Sequence, residues 1–552
     1  MRISFNPTLL GIALVFISTH ISAISLSGRI EDENGKTLRA ALVTLRSADK
    51  LYSETVYSNK EGEFQLDSKL EGDLTLRIKK PGYADKTLKA KADSHQPVRL
   101  RSLKTAEEKA AQLTNSAYIA ALEFDSLQER KSFHVDCLSC HQLGNVYTRT
   151  PRTREHWTII LTRMLSFWGV SDEKWIARYV DILAQGFDGK ILNASQHHEV
   201  LPRALKGKIY EWKLPDGVIS HDVEYHEGTG KLYTVDQGSD RIYITDPESN
   251  STENFSLPGE GIPIGGKFFT LFGSKNPWGL SVRHGPHSLQ HGPDDHFYTT
   301  NTVSGGIGEF DPAKKTFVNH DIGGKALYPH TLRFDKLGRV WFTLSASNQI
   351  GFLQSDSKEM TVLDLPDTST RGTMPARMPY GIDINPSDNS VWYGRLHANL
   401  IGRVDPNTLE IEEFDFAING PRRMRFDAKG ILWIPAFGDG ELVRLDPVSM
   451  KYDRYTIPPL AQGEIEAPYA VGVHPETQEV WVTTTTSDRM FRFLPEEKTF
   501  IAYPLPTTGT YLRDVIFLPN GHACAASSPV PVLPTVIEDG MQAIVCVDPG
   551  DT

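Results

Sequence analysis

The stretch YPHTLRFDKLGRVWFTLSASNQIGFLQSDSKEMTVLDLP, residues 328–366, decides the fold. It reads as four short strands of alternating apolar and polar residues, punctuated by turn signals such as the DKLG run at 335–338. The pattern returns in MPYGIDINPSDNSVWYGRLHANLIGRVDP (378–406), GPRRMRFDAKGILWIPAFGDGELVRLDP (420–447) and APYAVGVHPETQEVWVTTTTSDRMFRFLP (467–495). Weaker copies begin near His221, His287 and Tyr511. A repeat of about 40 to 50 residues means propeller blades or solenoid units. Seven four-stranded copies predict a seven-bladed β-propeller over residues 206–552.

The last copy offers only three strands, ending in AIVCVDP, whereas KGKIYEWKLP (206–215) is an orphan strand with the fourth-strand pattern. Residues 207–214 are therefore expected to complete the last blade and close the ring, which removes exposed sheet edges. Cys524 and Cys546 would then lie on neighbouring strands, as a disulfide in an oxidising compartment or as two buried thiols.

Upstream, residues 24–103 alternate in short runs (LSGRI, AALVTLRS, GEFQLDS, DLTLRIKKPGY) with turns at Asn34-Gly35 and Pro81-Gly82, which predicts a small β-sandwich. GRIEDENGKTLRAALVTL with SNKEGEFQL and LRIKKPGY resembles the carboxypeptidase regulatory-like, transthyretin-like domain, which implies an accessory module without catalytic residues. From 104 to 205 the period becomes helical, in AEEKAAQLTNSAYIAALEF, HWTIILTRMLSFWG and DEKWIARYVDILAQGF. The first residues, with Arg2, an apolar run from Leu9 to Ile17 and small residues ending at Ala23, read as a secretory signal peptide over 1–23. The run is too short to span a bilayer, and no later stretch is apolar enough to do so, so a periplasmic location is expected. With 552 residues several domains are expected. The net charge of -11 argues against a nucleic-acid partner. The fold class is thus mainly β: a seven-bladed propeller, an N-terminal β-sandwich and a small all-α domain.

Between the first two helical stretches lies CLSCH, residues 137–141. Cys137 and Cys140 would bond the vinyl groups of a covalent haem c, and His141 would ligate its iron. Zinc would want two more soft ligands nearby, and the other cysteines are far away in sequence. RTREHWTIILTRM followed by a YVDILA helix resembles the cytochrome domains of quinohaemoprotein dehydrogenases and related periplasmic oxidases, and that resemblance implies Met164 as the distal ligand. The alternative makes Met164 a core residue and uses His134, His156, His197 or His198 instead. Trp157 and Trp168 read as haem-packing core residues.

Aligned on their first strands, the blades place His221, His287, His330, Tyr380, Arg422, Tyr469 and Arg513 at one equivalent position, which in a propeller lies at a mouth of the channel. A second set, three residues after the tryptophan-like position of each second strand, reads Asp236, Asn301, Leu344, Arg395, Ala436 and Thr484. His221, His287, His330 and Asp236 offer a tentative site for a divalent metal.

PHTLRFDKLGRVWFTLSASNQIG and its copies resemble virginiamycin B lyase, the streptogramin lyase, over residues 207–548. That family is a seven-bladed propeller that opens a cyclic depsipeptide ester by elimination, using a histidine base and glutamates that bind magnesium. Its histidine position is matched by His221, His287 and His330. Its glutamate position is occupied by the second set above, with only one carboxylate.

Three functions follow as expectations. In the first, an oxidoreductase binds a small anionic substrate through Arg395, Arg422 and Arg513, a histidine takes a proton, and a periplasmic partner exchanges electrons with the haem. The second is a lyase retaining elimination chemistry, and the third a binding module with an electron-transfer haem.

Overall fold

The computed structural model describes residues 24–91, 97–166, 172–271, 280–324, 326–366, 378–531 and 540–550. The expected signal peptide and Trp168 lie outside them. Seven four-stranded antiparallel meanders follow one another in chain order, beginning with the strands Ser220–His226, Pro286–His291, Pro329–Phe334, Pro379–Ile384, Arg425–Phe426, Pro468–Val473 and Leu512–Phe517. The Asp-x-x-Gly turns form as the residue types demand. Asp335 accepts from the backbone of Leu337 and Arg339, both at 2.9 Å, while Gly338 takes the left-handed φ of 75°. The same Asp335 accepts from the indole of Trp341 at 2.9 Å, and Asp427 does so from Trp433 at 3.1 Å. These tryptophans are fully buried between blades, Trp341 against Ile382, Val391 and Tyr393 of the next one.

Ring closure uses the first propeller strand. Lys208–Lys213 pairs antiparallel with Ala543–Asp548, from Lys208↔Asp548 to Lys213↔Ala543. Cys524 and Cys546 face each other across adjacent strands and are bonded, with Cα atoms 4.0 Å apart. The bridge closes a loop of sequence separation 22. Cys524→Ser is therefore expected to lower stability by about 3 kcal/mol, read as a fall in the denaturant midpoint of oxidised protein; an unchanged midpoint would show that the cross-link constrains little.

The sheet of the last blade does not stop at Lys208–Lys213. Tyr52–Tyr57 adds to it, followed by Leu42–Arg46, Thr75–Lys79 and Lys86–Lys89, so one eight-stranded sheet runs from the propeller into the N-terminal domain. A second sheet, Glu63–Ser68, Ile24–Asp32 and Val98–Leu100, packs on it. Leu26, Ile30, Phe64 and Leu66 from one sheet meet Val43, Leu45, Leu76 and Ile78 from the other.

Between these β units lie the helices Ala106–Ala111, Asn115–Ala120, Leu127–Leu138, Arg154–Ser166 and Glu173–Gly186. The stretch expected as one helix over 106–124 is two. Tertiary bonds break it: the Gln112 side chain donates to Tyr83 O at 2.6 Å and accepts from Gly82 at 2.9 Å, and the Thr114 amide donates to Gln196. Leu127–Leu138, the helix that carries Cys137, was not expected, because its sequence LQERKSFHVDCL lacks an apolar stripe. Ser126 with Glu129 three residues later is its start signal, and Ser126 Oγ accepts from Glu129 N at 3.1 Å.

The helices cap one end of the propeller. Phe133, Leu138, Trp157, Leu161 and Tyr179 share a core with Met378, Tyr380, Leu396 and Phe437. Backbone groups are tied down too: Ser139 O accepts from Arg422 at 2.8 Å, Leu138 O from Tyr511 at 2.8 Å, and Gln142 N donates to Val530 O at 3.0 Å.

Candidate functional site

Most first strands carry a bulge near their start, with register shifts at Pro286/Leu289, Pro329/Leu332, Pro379/Ile382, Pro468/Ala470 and Leu512/Val515. A bulge re-aims the side chain it holds, and here those side chains are His287, His330, Tyr380, Tyr469 and Arg513. With His221 and Arg422 they close a ring. The imidazole centroids of His221 and His287 lie 3.5 Å apart, those of His287 and His330 4.1 Å, and His330 lies 3.8 Å from Tyr380. Arg422 bonds Tyr380 Oη, and its guanidinium stacks 4.0 Å from the Tyr469 ring. Arg513 donates to Tyr469 Oη at 3.3 Å.

Within the ring a chain of hydrogen bonds runs from Tyr380 Oη to Tyr469 Oη (3.2 Å) and on to His221 Nε2 (3.2 Å). His221 Nδ1 lies 2.8 Å from Asp222 Oδ1, so an Nδ1–H donated there leaves Nε2 as the acceptor. Asp222 in turn accepts from Arg423 through both oxygens at 2.7 Å, and Arg423 reaches Asp514 at 3.2 Å. Burial and the nearby arginines, Arg513 and Arg423 among them, hold His221, His287 and His330 well below the usual imidazole range, so all three are neutral near pH 7. Burial alone would raise Tyr469, but Arg513, Arg423 and Arg422 outweigh it and lower the phenol. The arrangement can take a proton at His221 or Tyr469 and pass it along a fixed path.

Five ring residues, His221, His287, His330, Tyr380 and Arg513, form one wall of a cavity of about 820 Å³, and Tyr469 and Arg422 stand behind that wall. The opposite wall carries Cys137, Cys140, His141 and Met164, with Leu143, Trp157, Leu161 and Leu165 between them. His141 Nδ1 lies 2.8 Å from Gln142 O, which orients the ring and leaves Nε2 free to ligate. Burial pushes the Cys137 thiol well up, which favours its protonated form over a metal-binding thiolate, and Cys140 is exposed at the cavity wall. A large chamber with two thiols and the His141 imidazole together on one wall has the donor set to hold a haem through thioethers.

Of the alternative distal ligands, His156 lines this cavity with Met164; His134, His197 and His198 do not. His134 is instead sealed in the helical core, where both ring nitrogens lack a partner and burial, with Arg130, lowers it to about 3. The unfolded chain therefore binds this proton first, and stability falls as pH drops from 6.5 toward 3. The expected slope is about 1.4 kcal/mol per pH unit for this group. His134→Leu should remove that share, seen by comparing urea midpoints at about pH 5 and pH 7 in variant and wild type; equal slopes would contradict it.

The second set of positions stands elsewhere. Asp236, Asn301, Leu344, Arg395, Ala436 and Thr484 each end a second strand, one strand out from the channel. Asp236 accepts from the backbone of Val218 (2.7 Å), Ile219 (3.0 Å) and Gly238 (2.9 Å), so its carboxylate is a loop cap and not a ligand beside the histidines. Arg395 is buried against Glu413 at 2.7 Å and cannot meet a substrate at the ring. The mouth histidines lie side by side along the ring, with neighbouring planes tilted at 32° and 51°. Among the described residues, three ligand atoms come within 4.8 Å of one another only in His226/His291/Asp295 and in Asp294/His296/Glu309. His221, His287, His330 and Asp236 do not bring three ligand atoms that close together in this structure. Asp222, Arg423, Asp514 and the cavity-lining Tyr328 were missed. Asp222 and Arg423 adjoin His221 and Arg422 in sequence, and that adjacency was the available signal.

Residues 25–103 match the family model of the carboxypeptidase regulatory-like domain. No curated protein matches the chain. Among solved structures, virginiamycin B lyase from Staphylococcus aureus is 17% identical with TM-score 0.49, over 62% of this chain and 99% of that one. A streptogramin B lyase structure is 19% identical with TM-score 0.49, over 62% and 97%. The RRP9 WD40 repeats are 9% identical with TM-score 0.47, over 64% and 98%.

Proposed function

We propose that this chain is an exported oxidoreductase that carries one covalent c-type haem and acts on a small substrate held between that haem and the propeller mouth. The observation that carries the proposal is one cavity lined both by Cys137, Cys140, His141 and Met164 and by His221, His287, His330, Tyr380 and Arg513 of the propeller mouth. When bound, the haem supplies one-electron chemistry. Cys137 and Cys140 would hold it, His141 would ligate its iron, and Met164 would be the distal ligand. The chain's own residues bind and manage protons: Arg513 presents charge to an anionic substrate, and His221, fixed by Asp222, accepts a proton at Nε2. Leu138, Ser139 and Gln142, bonded to propeller residues, keep the motif over the mouth. The buried disulfide supports folding in an oxidising compartment such as the periplasm, and an electron-transfer partner there completes the reaction.

A second reading, elimination with the cavity-lining His221 as base and Tyr469, hydrogen-bonded to its Nε2, relaying the proton, draws on the same ring. The test uses full-length protein from a host that matures c-type haem. One haem that resists denaturation is expected, and its visible bands should be reduced by substrate about 10²–10⁴-fold more slowly in Tyr469→Phe or His221→Ala. Protein without covalent haem would overturn the assignment; covalent haem indifferent to both variants would leave the ring out of the reaction.

A further inference from the structure

At the other end of the first-blade strand Ser220–His226, five residues from His221, His226 meets His291 and Asp295 of the second blade. The Nε2 atoms of His226 and His291 lie 2.9 and 3.0 Å from the same oxygen, Oδ1 of Asp295. Their rings cross at 78° with centroids 5.0 Å apart, and Phe297 packs against both. Only His226 is buried; the Asp295 side chain is 72% exposed and leaves the site open to solvent.

We propose that His226, His291 and Asp295 bind a divalent transition metal of the zinc class, joining the first and second blades on the face away from the haem cavity. Two imidazoles and one carboxylate form a donor set that zinc accepts, with a fourth position for water. His226 Nδ1 lies 2.9 Å from Thr229 Oγ1; donating there, it frees Nε2 for the metal. The adjacent cluster is different. Glu309 already meets Lys358 at 2.8 Å, His296 at 2.8 Å and His320 at 2.7 Å, so Asp294, His296 and Glu309 form a neutralised network with a cation in place. Magnesium, which prefers oxygen, does not suit the histidine site.

The test is zinc titration of chelator-stripped, full-length protein by calorimetry, with thermal unfolding alongside. Wild type should bind one zinc at this site and melt higher in its presence. His291→Ala and Asp295→Ala should each weaken that binding more than about tenfold, with His221→Ala and His296→Ala as controls that keep it. Circular dichroism of His291→Ala checks that its fold persists. No zinc binding in wild type, or binding equally strong in both His291→Ala and Asp295→Ala, overturns the proposal, whatever is found for the haem.

Discussion

Replacing Cys137 and Cys140 together by alanine is expected to abolish covalent haem altogether: no haem-stained band in a denaturing gel, and no turnover by a haem-dependent route. Under the proposed assignment each thiol would supply one thioether, and without them only side-chain ligation by residues such as His141 would hold the haem. The variant should still fold, because Cys140 makes only a 3.7 Å contact with Ser139 and neither thiol is bonded to a cysteine. The result separates the two chemical readings. If the double variant loses activity with the haem, the ring and the motif act together. If turnover survives intact, His221 and Tyr469 suffice, and elimination is the better description.

Arg423→Met should be the most destabilising single change at the mouth, by about 3–5 kcal/mol. Arg423 is 0% exposed, Asp222 1% and Asp514 5%, so deleting the guanidinium strands carboxylates where water cannot reach them. Arg333 and Arg425 remain on Asp514, but Asp222 keeps only uncharged partners, the neutral His221 imidazole and the Leu289 amide. The loss is measured as a fall in denaturant midpoint. Adding Asp222→Asn should recover part of it, since the uncompensated charge is then gone; strictly additive losses would mean that the pair is not coupled.

Much of the propeller was legible because a four-stranded blade repeats its turn and tryptophan positions, and the closing strand 208–213 was legible as an orphan copy. The ring residues could be read for the same reason, as an in-phase position beside a bulge. Asp236 and Arg395 misled because phase along the chain does not say which strand faces the channel: both end second strands, and local backbone and side-chain partners consume them. The placement of the helices over the mouth was not legible at all. It depends on bonds such as Arg422 to Ser139 and Tyr511 to Leu138, whose partners are separated by 283 and 373 residues and leave no local pattern.

Ring closure also fixes an order of assembly. The strand Lys208–Lys213 is synthesised before any blade, yet its partner Ala543–Asp548 is made only after all the other blade strands. Until Ala543–Asp548 arrives, Lys208–Lys213 has Tyr52–Tyr57 of the N-terminal domain as its strand partner. That domain therefore serves as a splint, keeping the waiting strand paired and away from other chains while the blades accumulate.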